Sequence, residues 1–168
     1  LSSMSKYFVF LTIAFAFLPL DSPAQTDESA FADTSIAKSF IVQAKLFYKE
    51  AKYDSADIFF DKAAAIYKSI DDWVNYLKCS NNRAISLIPR GEYAIADSIL
   101  LDALAKSKHQ INERDYVIGL CYNNLGVSAY YSGDYDAALI NYKKLLKYIV
   151  PYLWIIINSF PNAITILG

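Results

Sequence analysis

One short segment recurs three times along this chain, and the repetition constrains the fold more than any other feature. Its copies surround Tyr53, Tyr93 and Tyr135, and each tyrosine is followed three positions later by an alanine. The positions of the three tyrosines differ by 40 and then by 42. A helical unit of this size cannot bury its apolar face alone, so successive copies stack against one another. The repeat therefore predicts a solenoid scaffold.

In the clearest copy, apolar side chains follow a helical spacing on both sides of a turn. After Tyr135 they recur at intervals of three or four positions, at Ala138, Leu139, Tyr142, Leu145 and Leu146. Before the turn the same spacing is kept by Tyr122, Leu125, Gly126, Ala129 and Tyr130. Such spacing places each set on one face of a helix, and Gly133 marks the turn between them. The unit is predicted to be a helical hairpin.

Two small residues occupy matching positions in all three copies. One set comprises Ala44, Ala84 and Gly126, and the other comprises Ala56, Ala96 and Ala138. Two helices can approach closely only where the crossing point carries small side chains, and overpacking there costs about 1–3 kcal/mol. We therefore expect these residues at the contact between the two helices of each hairpin.

The third copy resembles the tetratricopeptide repeat, whose signature is nearly met by Tyr122, Leu125, Gly126, Ala138 and Tyr142. The resemblance covers residues 35–147. It implies an all-α fold of antiparallel helical hairpins stacked as a short α-solenoid, with hairpins at about 35–70, 73–110 and 115–147.

The copies also depart from the standard repeat of this family. The interval is longer than the usual length of about 34 residues, as in relatives found in kinesin light chains and many bacterial signalling proteins. Gln43 and Arg83 occupy a column that is usually apolar, and Ala129 stands where an aromatic residue is usual. These departures affect the expected local packing and leave the expected fold unchanged.

Residues 1–24 are predicted to be an export signal. Lys6 supplies a positive charge, an apolar run covers residues 7–18, and small residues favour cleavage after Ala24. Met4 is the only methionine, so we expect translation to start there. The alternative is an uncleaved membrane anchor, although the run is short for a bilayer span. We expect a linker over 25–34 and an exported protein in the periplasm or cell envelope.

Residues 148–168 differ in character from the rest of the chain, because they carry no charge and show no helical period. They predict an irregular hydrophobic tail, and a membrane-spanning segment is disfavoured by Pro151 and Pro161. A further hypothesis is that they are a frameshifted reading of a fourth repeat. Residues 163–168 can be encoded by GCT ATA ACA ATA TTG GGN, which read from the third base gives Tyr-Asn-Asn-Ile-Gly. That sequence falls in register with residues 122–126.

Composition and motifs argue against catalysis, cofactors and nucleic-acid binding. The 16 basic and 17 acidic residues give a net charge of −1 and are interspersed, so no concentrated basic footprint exists. We recognise no nucleophile motif, phosphate-binding loop or metal-ligand cluster. The adjacent Asp71 and Asp72 are expected to cap a helix beginning at Trp73. His109 lies in a polar stretch and is expected at a solvated helix end.

Two cysteines raise the question of a disulfide in an exported protein. Cys79 and Cys121 fall at matching positions of successive repeats. A free cysteine behaves as a small hydrophobic residue, so we expect both to be buried packing residues, with a disulfide as the alternative.

The resemblance implies where a ligand would bind. In tetratricopeptide arrays the first helices of successive hairpins line a concave groove, and the residue before the Leu-Gly pair points into it. Here those residues are Val42, Asn82 and Asn124. An asparagine both donates and accepts hydrogen bonds, so stacked asparagines can bind the backbone of an extended peptide. The alternative is that the asparagines are ordinary polar surface residues. The other side chains expected near this face are Lys45, Lys78 and Tyr130.

The expected function is therefore a non-enzymatic protein–protein interaction scaffold that binds a peptide or protein segment, as part of a larger exported bacterial protein. The alternative is a substrate-positioning or sensory region of a truncated signalling protein or peptidase whose catalytic or regulatory domain lies downstream. A structural spacer that binds nothing is a third possibility. No cofactor or nucleic acid is expected, and membrane contact would come only through an uncleaved signal or a missing downstream segment.

Overall fold

A computed structural model describes residues 23–112 and 116–159 of the chain. The chain divides into two units, Leu1–Ala32 and Asp33–Gly168. In the first unit the described residues, 23–32, are helical. Over the whole described part, the α-helices are α1 (Pro23–Lys49), α2 (Tyr53–Ser69), α3 (Trp73–Leu87), α4 (Tyr93–Ser107), α5 (Tyr116–Ser132) and α6 (Tyr135–Ser159). These residues contain no β-strand, and the predicted all-α fold is confirmed.

Consecutive helices pack in pairs joined by short turns. We call these pairs hairpin 1 (α1 and α2), hairpin 2 (α3 and α4) and hairpin 3 (α5 and α6). In hairpin 1 the ring of Phe59 on α2 lies between two rings of α1, with centroids 5.7 Å from Phe40 and 5.3 Å from Phe47. Positions in different hairpins are called matching when they are separated along the chain by the same interval as the tyrosines that begin α2, α4 and α6.

The small residues lie where the two helices of each hairpin meet, as predicted. All six are buried: Ala44, Ala56, Ala84, Ala96, Gly126 and Ala138. The closest approach is in hairpin 3, where a Cβ added to Gly126 would lie 2.6 Å from Cε1 of Tyr142. Carbon atoms make favourable contacts at about 3.5–4.0 Å, so this position has no room for a side chain.

The turns within the hairpins all use a left-handed backbone at the same matching position. Gly91 has φ 76° and Gly133 has φ 87°, whereas hairpin 1 has Ala51 there with φ 57°. An L-residue with a Cβ is disfavoured in this region by about 1–2 kcal/mol, while glycine adopts it freely. Hairpin 1 therefore contains a strained turn that the other two hairpins avoid.

We expect Ala51→Gly to stabilise the protein by about 1 kcal/mol, because the relief of strain exceeds the added entropy of the unfolded chain. Urea denaturation measures the change in the free energy of unfolding. Gly91→Ala is the matched control and should destabilise, since it introduces the strain that Ala51→Gly removes. A loss of stability in Ala51→Gly would contradict this explanation.

An ionic contact joins hairpin 2 to hairpin 1. Arg83 of α3 donates from Nε to Oδ1 of Asp57 at 2.8 Å and from Nη1 to Oδ1 of Asp61 at 2.6 Å. The two carboxylates lie one turn apart on α2 and therefore face the same guanidinium. This pairing gives the physical reason why a charged residue is tolerated in a column that the family usually keeps apolar.

Asp72 caps α3, as expected from the sequence. Its Oδ1 accepts a hydrogen bond from the backbone N–H of Asn75 at 3.1 Å, and its Oδ2 accepts one from Nδ2 of the same asparagine at 2.7 Å. Asp71 instead adopts a left-handed backbone in the turn, with φ 57°. The cap therefore depends on the second aspartate alone.

The structure departs from two sequence expectations at the edges of the repeats. Residues 25–34, expected as a linker, lie within α1, which begins with Pro23 at a position where proline is favoured. Residues 148–159, expected as irregular, continue α6 through Pro151. Pro151 removes only one intrahelical hydrogen bond, and each further residue adds one, so an established helix can propagate past it. Residues 1–22 and 160–168 lie outside the described residues. They contain most of the predicted export signal and the last part of the tail.

None of the described helices combines the length and the hydropathy needed to cross a membrane.

Candidate functional site

Asparagine doublets at residues 81–82 and 123–124 lie on the first helices of hairpins 2 and 3, and a hydrogen bond between the doublets links these two helices. Nδ2 of Asn124 on α5 donates to Oδ1 of Asn81 on α3 at 2.7 Å. Both residues are buried, with Asn124 8% and Asn81 5% exposed. Asn123 makes a longer hydrogen bond of 3.4 Å to Oδ1 of Asn124. The amide of Asn124 is thus used between helices, which limits its part in binding a ligand.

Asn82, the other predicted groove asparagine, is placed differently. It is half-buried, and its side-chain amide makes no hydrogen bond to any residue that the structure describes. Val42, at the matching position in α1, is 59% exposed. Of the three predicted groove positions, Asn82 is the one that combines an accessible side chain with unused hydrogen-bonding capacity.

The two predicted lysines lie on different first helices, Lys45 on α1 and Lys78 on α3. Lys45 is exposed, and Nζ of Lys78 lies 5.7 Å from the centroid of the Tyr116 ring on α5. Burial and, to a smaller extent, Asp72 raise the pKa of the Cys79 thiol to about 12, whereas Lys45 and Lys78 act to lower it.

Tyr130 lies at the opposite end of α5 from Tyr116. It is 54% exposed, and its ring centroid is 5.6 Å from those of Tyr131 and Tyr135. The separation of Tyr130 from Tyr116 in the sequence corresponds to about 20 Å along a helix. The predicted site residues are distributed over the first helices, with Lys45 on α1, Lys78 and Asn82 on α3, and Asn124 and Tyr130 on α5, and we call this set the strip.

Besides this strip, clefts lined by described residues border the first helices. One, of about 340 Å³, lies beside the tyrosines and is lined by Ile88, Pro89, Tyr93 and Tyr131. A larger one, of about 400 Å³, lies between α4, α5 and α6 and is lined by Leu104, Ala105, Lys108, Ile111, Ile118, Tyr122, Lys147 and Tyr148. Burial, followed by the nearby Tyr148 and Cys121, raises the pKa of Tyr122, which Lys147 acts to lower. The smaller cleft offers mainly apolar and aromatic contacts, whereas the larger one also presents the ammonium groups of Lys108 and Lys147.

Another cleft, of about 260 Å³, lies between α2, α3 and α4 and is rich in charge. Four of its charged residues are paired, since Arg83 binds Asp61 and Nζ of Lys106 lies 2.5 Å from Oδ2 of Asp102. The hydrogen bond to Asp102 raises the pKa of Lys106, and burial raises the pKa of the lining Tyr76. These shifts move both groups further from neutrality, whereas acid–base catalysis favours a pKa near the working pH.

Asp97 on α4 differs from its counterpart in hairpin 1. It occupies the position that matches Asp57, but the position of Arg83 is taken by Leu125 in hairpin 3. Burial raises the pKa of Asp97, a hydrogen bond with Ser128 acts to lower it, and its Oδ1 has no hydrogen-bond partner among the described residues. The carboxyl is a remnant of the repeat pattern without its arginine.

The predictions for the cysteines are confirmed, and His109 is exposed, as expected. Cys79 and Cys121 are free and buried, 1% and 0% exposed, and burial raises the pKa of Cys121 to about 12. Thiols of this kind are inert packing residues. Among the described residues, no group of histidine, cysteine, aspartate and glutamate could hold a metal ion.

The residues that sequence reasoning missed are Asn81, Tyr116 and Tyr131. The repeated asparagine doublets were a visible signal, but successive helical residues are rotated by about 100° from each other. Which member of a doublet meets the neighbouring helix depends on the rotation of that helix within the stack. The sequence pattern alone does not determine this rotation.

Residues 119–147, which span most of α5 and the first half of α6, match the model of the family described as Tetratricopeptide repeat. No curated protein shows a match to the chain. The family match and the helices packed in consecutive pairs together support a tetratricopeptide-repeat protein, a class that serves as protein–protein interaction scaffolds.

Proposed function

We propose that this tetratricopeptide-repeat chain is a non-catalytic scaffold that binds an extended peptide or protein segment across α1, α3 and α5. The observation that carries the proposal is the unused amide of Asn82, half-buried in the strip between the two lysines and the tyrosines. An amide in that position can hydrogen-bond a peptide backbone whatever its sequence.

The other residues of the strip support the same kind of ligand. The ammonium groups of Lys45 and Lys78 favour a segment that carries carboxylates, and the exposed ring of Tyr130 provides an apolar contact with a polar tip. A segment that contacts all three first helices must cross them, and helices in contact have axes about 8–10 Å apart.

We further propose that the repeat belongs to the long-period type and that the chain is an exported bacterial protein, part of a larger one, in the periplasm or cell envelope. The intervals between the three repeated tyrosines support the first point, and the charge, apolar run and small residues before Gln25 support the second. Detection of a processed chain that starts at Gln25 in an envelope fraction would test the export. An unprocessed chain in the cytoplasm would contradict it.

Selection of random displayed peptides against the chain provides a probe for the strip. For the tightest selected peptide, we expect Asn82→Ala to weaken binding about fivefold, because one hydrogen bond contributes about 1 kcal/mol. Fluorescence anisotropy measures the affinity. Ser98→Ala, an exposed position on α4, is the matched control and should leave the affinity unchanged.

Three further outcomes bear on this proposal. Asn124→Ala should lower the stability of the fold as well as the affinity, since it leaves the buried Asn81 without its partner. Unchanged affinity in both Asn82→Ala and Lys78→Ala would overturn the assignment of the strip. Failure to select any peptide would support the structural-spacer alternative.

A further inference from the structure

Two residues of α6 occupy positions that are covered in the preceding hairpins. At the first position, Tyr67 and Ser107 are 2% and 0% exposed in hairpins 1 and 2, but Ile149 of hairpin 3 is 37% exposed. At the second, Ala64 is 3% exposed and Leu104 is half-buried, whereas Leu146 is 54% exposed. Hairpin 3 thus presents apolar side chains where its neighbours bury theirs.

The residues that cover these positions belong to the first helix of the following hairpin. Ala64 lines a cleft together with Tyr76 and Ser80 of α3. Leu104 lines a cleft together with Ile118 of α5. The same relation holds at both junctions between hairpins, so the positions define a repeated interface.

A third position of this interface changes from charged to apolar along the chain. Asp57 binds Arg83 of α3, and Asp97 at the matching position is half-buried. The matching residue in hairpin 3 is Leu139, which is 53% exposed. Leu139 is therefore uncharged where Asp57 and Asp97 carry carboxylates, whereas Asp54 and Asp61, which also pair with hairpin 2, are matched in α6 by Asp136 and Lys143.

Exposure on the outer side of the second helices has a different pattern. Ile58, Ser98 and Ile140 match one another, and all three are exposed, with Ile58 at 53% and Ile140 at 54%. This position stays open whether or not a hairpin follows. The contrast shows that the exposure of Leu146 and Ile149 is not general to second helices, and among the described residues no hairpin follows α6.

We propose that Leu139, Leu146 and Ile149 form a docking face for the first helix of a further helical hairpin of the same kind. Continuity with the two existing junctions identifies the occupant, because the same positions already receive α3 and α5. One possible encoding of residues 163–168 is consistent with such a hairpin, since in another frame it would give Tyr-Asn-Asn-Ile-Gly in register with residues 122–126. This face is separate from the strip of the proposed ligand site, and the two are tested by different measurements.

The test compares the natural chain with an extended variant in which the docking face should become buried. In the extended variant, residues 1–149 are followed by a second copy of residues 108–147, which keeps the register because Ser107 and Ile149 match. In the unextended chain, Leu146→Asp should change the Tm by no more than about 1 °C, as for an exposed position. In the extended chain the same substitution should lower the Tm by about 5 °C or more, since it places a charge in the new interface.

Ile140→Asp is the matched control, as it lies on the same helix with equal exposure. Its effect on the Tm should be the same in both chains. Equal effects of Leu146→Asp in the two chains would overturn the proposal, and so would an appended hairpin that adds no helical circular dichroism. Concentration-dependent dimerisation of the unextended chain that Leu146→Asp abolishes would assign the face to a second copy and would likewise overturn it.

Discussion

Replacing Gly126 with alanine should destabilise the protein by about 2 kcal/mol, a large effect for the addition of one methyl group. The new Cβ would lie 2.6 Å from Cε1 and 2.9 Å from Cδ1 of Tyr142, so the ring must move. Overpacking of this kind costs up to about 3 kcal/mol, and the better helix propensity of alanine recovers about 1 kcal/mol. Urea denaturation monitored by far-UV circular dichroism measures the difference.

Hairpin 2 supplies the compensating change. It carries Ala84 and Leu100 at the positions that match Gly126 and Tyr142, and both are fully buried. Gly126→Ala combined with Tyr142→Leu recreates that pair in hairpin 3. We expect the double variant to be more stable, by about 1 kcal/mol or more, than the sum of the two single effects predicts, because the residues are in direct contact. Simple additivity would show that the contact between Gly126 and Tyr142 does not limit the packing.

Replacing Arg83 with leucine should also cost about 2 kcal/mol, although leucine is the residue at the matching position of hairpin 3. Arg83 makes charge-assisted hydrogen bonds to two aspartates, and a bond of this type contributes about 1.5–3 kcal/mol. The Asp57 side chain is only 20% exposed, so it would be left without a partner in a poorly solvated place. Asp61, whose side chain is 59% exposed, would be rehydrated at little cost.

Two controls separate this explanation from a general loss of charge. Lys106→Ala removes the exposed pair with Asp102 and should cost no more than about 0.5 kcal/mol. Adding Asp57→Leu to Arg83→Leu should restore stability, because it removes the unpaired carboxylate. Thermal and urea denaturation of the variants provide the comparison. If Arg83→Leu and Lys106→Ala have the same effect, the junction between hairpins 1 and 2 does not depend on this ion pair.

Much of the fold could be predicted because the repeat encodes the same local information three times. The helical spacing around Gly133, the cap at Asp72 and the small residues at the helix crossings are local or nearly local features, and each is found where the pattern predicts it. The exception at the tail has a local cause as well. The absence of charge and period after Lys147 predicts irregular structure, but neither feature prevents a helix from continuing.

The candidate site was less predictable than the fold. The asparagine doublets indicated a polar face on the first helices, yet Asn124 bonds Asn81 across the stack while Asn82 keeps its amide free. One residue along a helix changes the direction of a side chain by about 100°, so the rotation of α3 within the stack decides which of its two asparagines meets Asn124. No periodic pattern contains that rotation.

By itself, the sequence determined that this chain forms helical hairpins with close crossings, because apolar spacing and small side chains act within one hairpin. The tertiary structure alone decided how the hairpins meet: that Arg83 reaches two aspartates of α2, that Asp97 lacks such a partner, and that α6 presents Leu146 and Ile149 to solvent. These outcomes depend on which residues of different hairpins face one another. That depends on the relative rotation and offset of packed helices, which arise only when the hairpins are assembled.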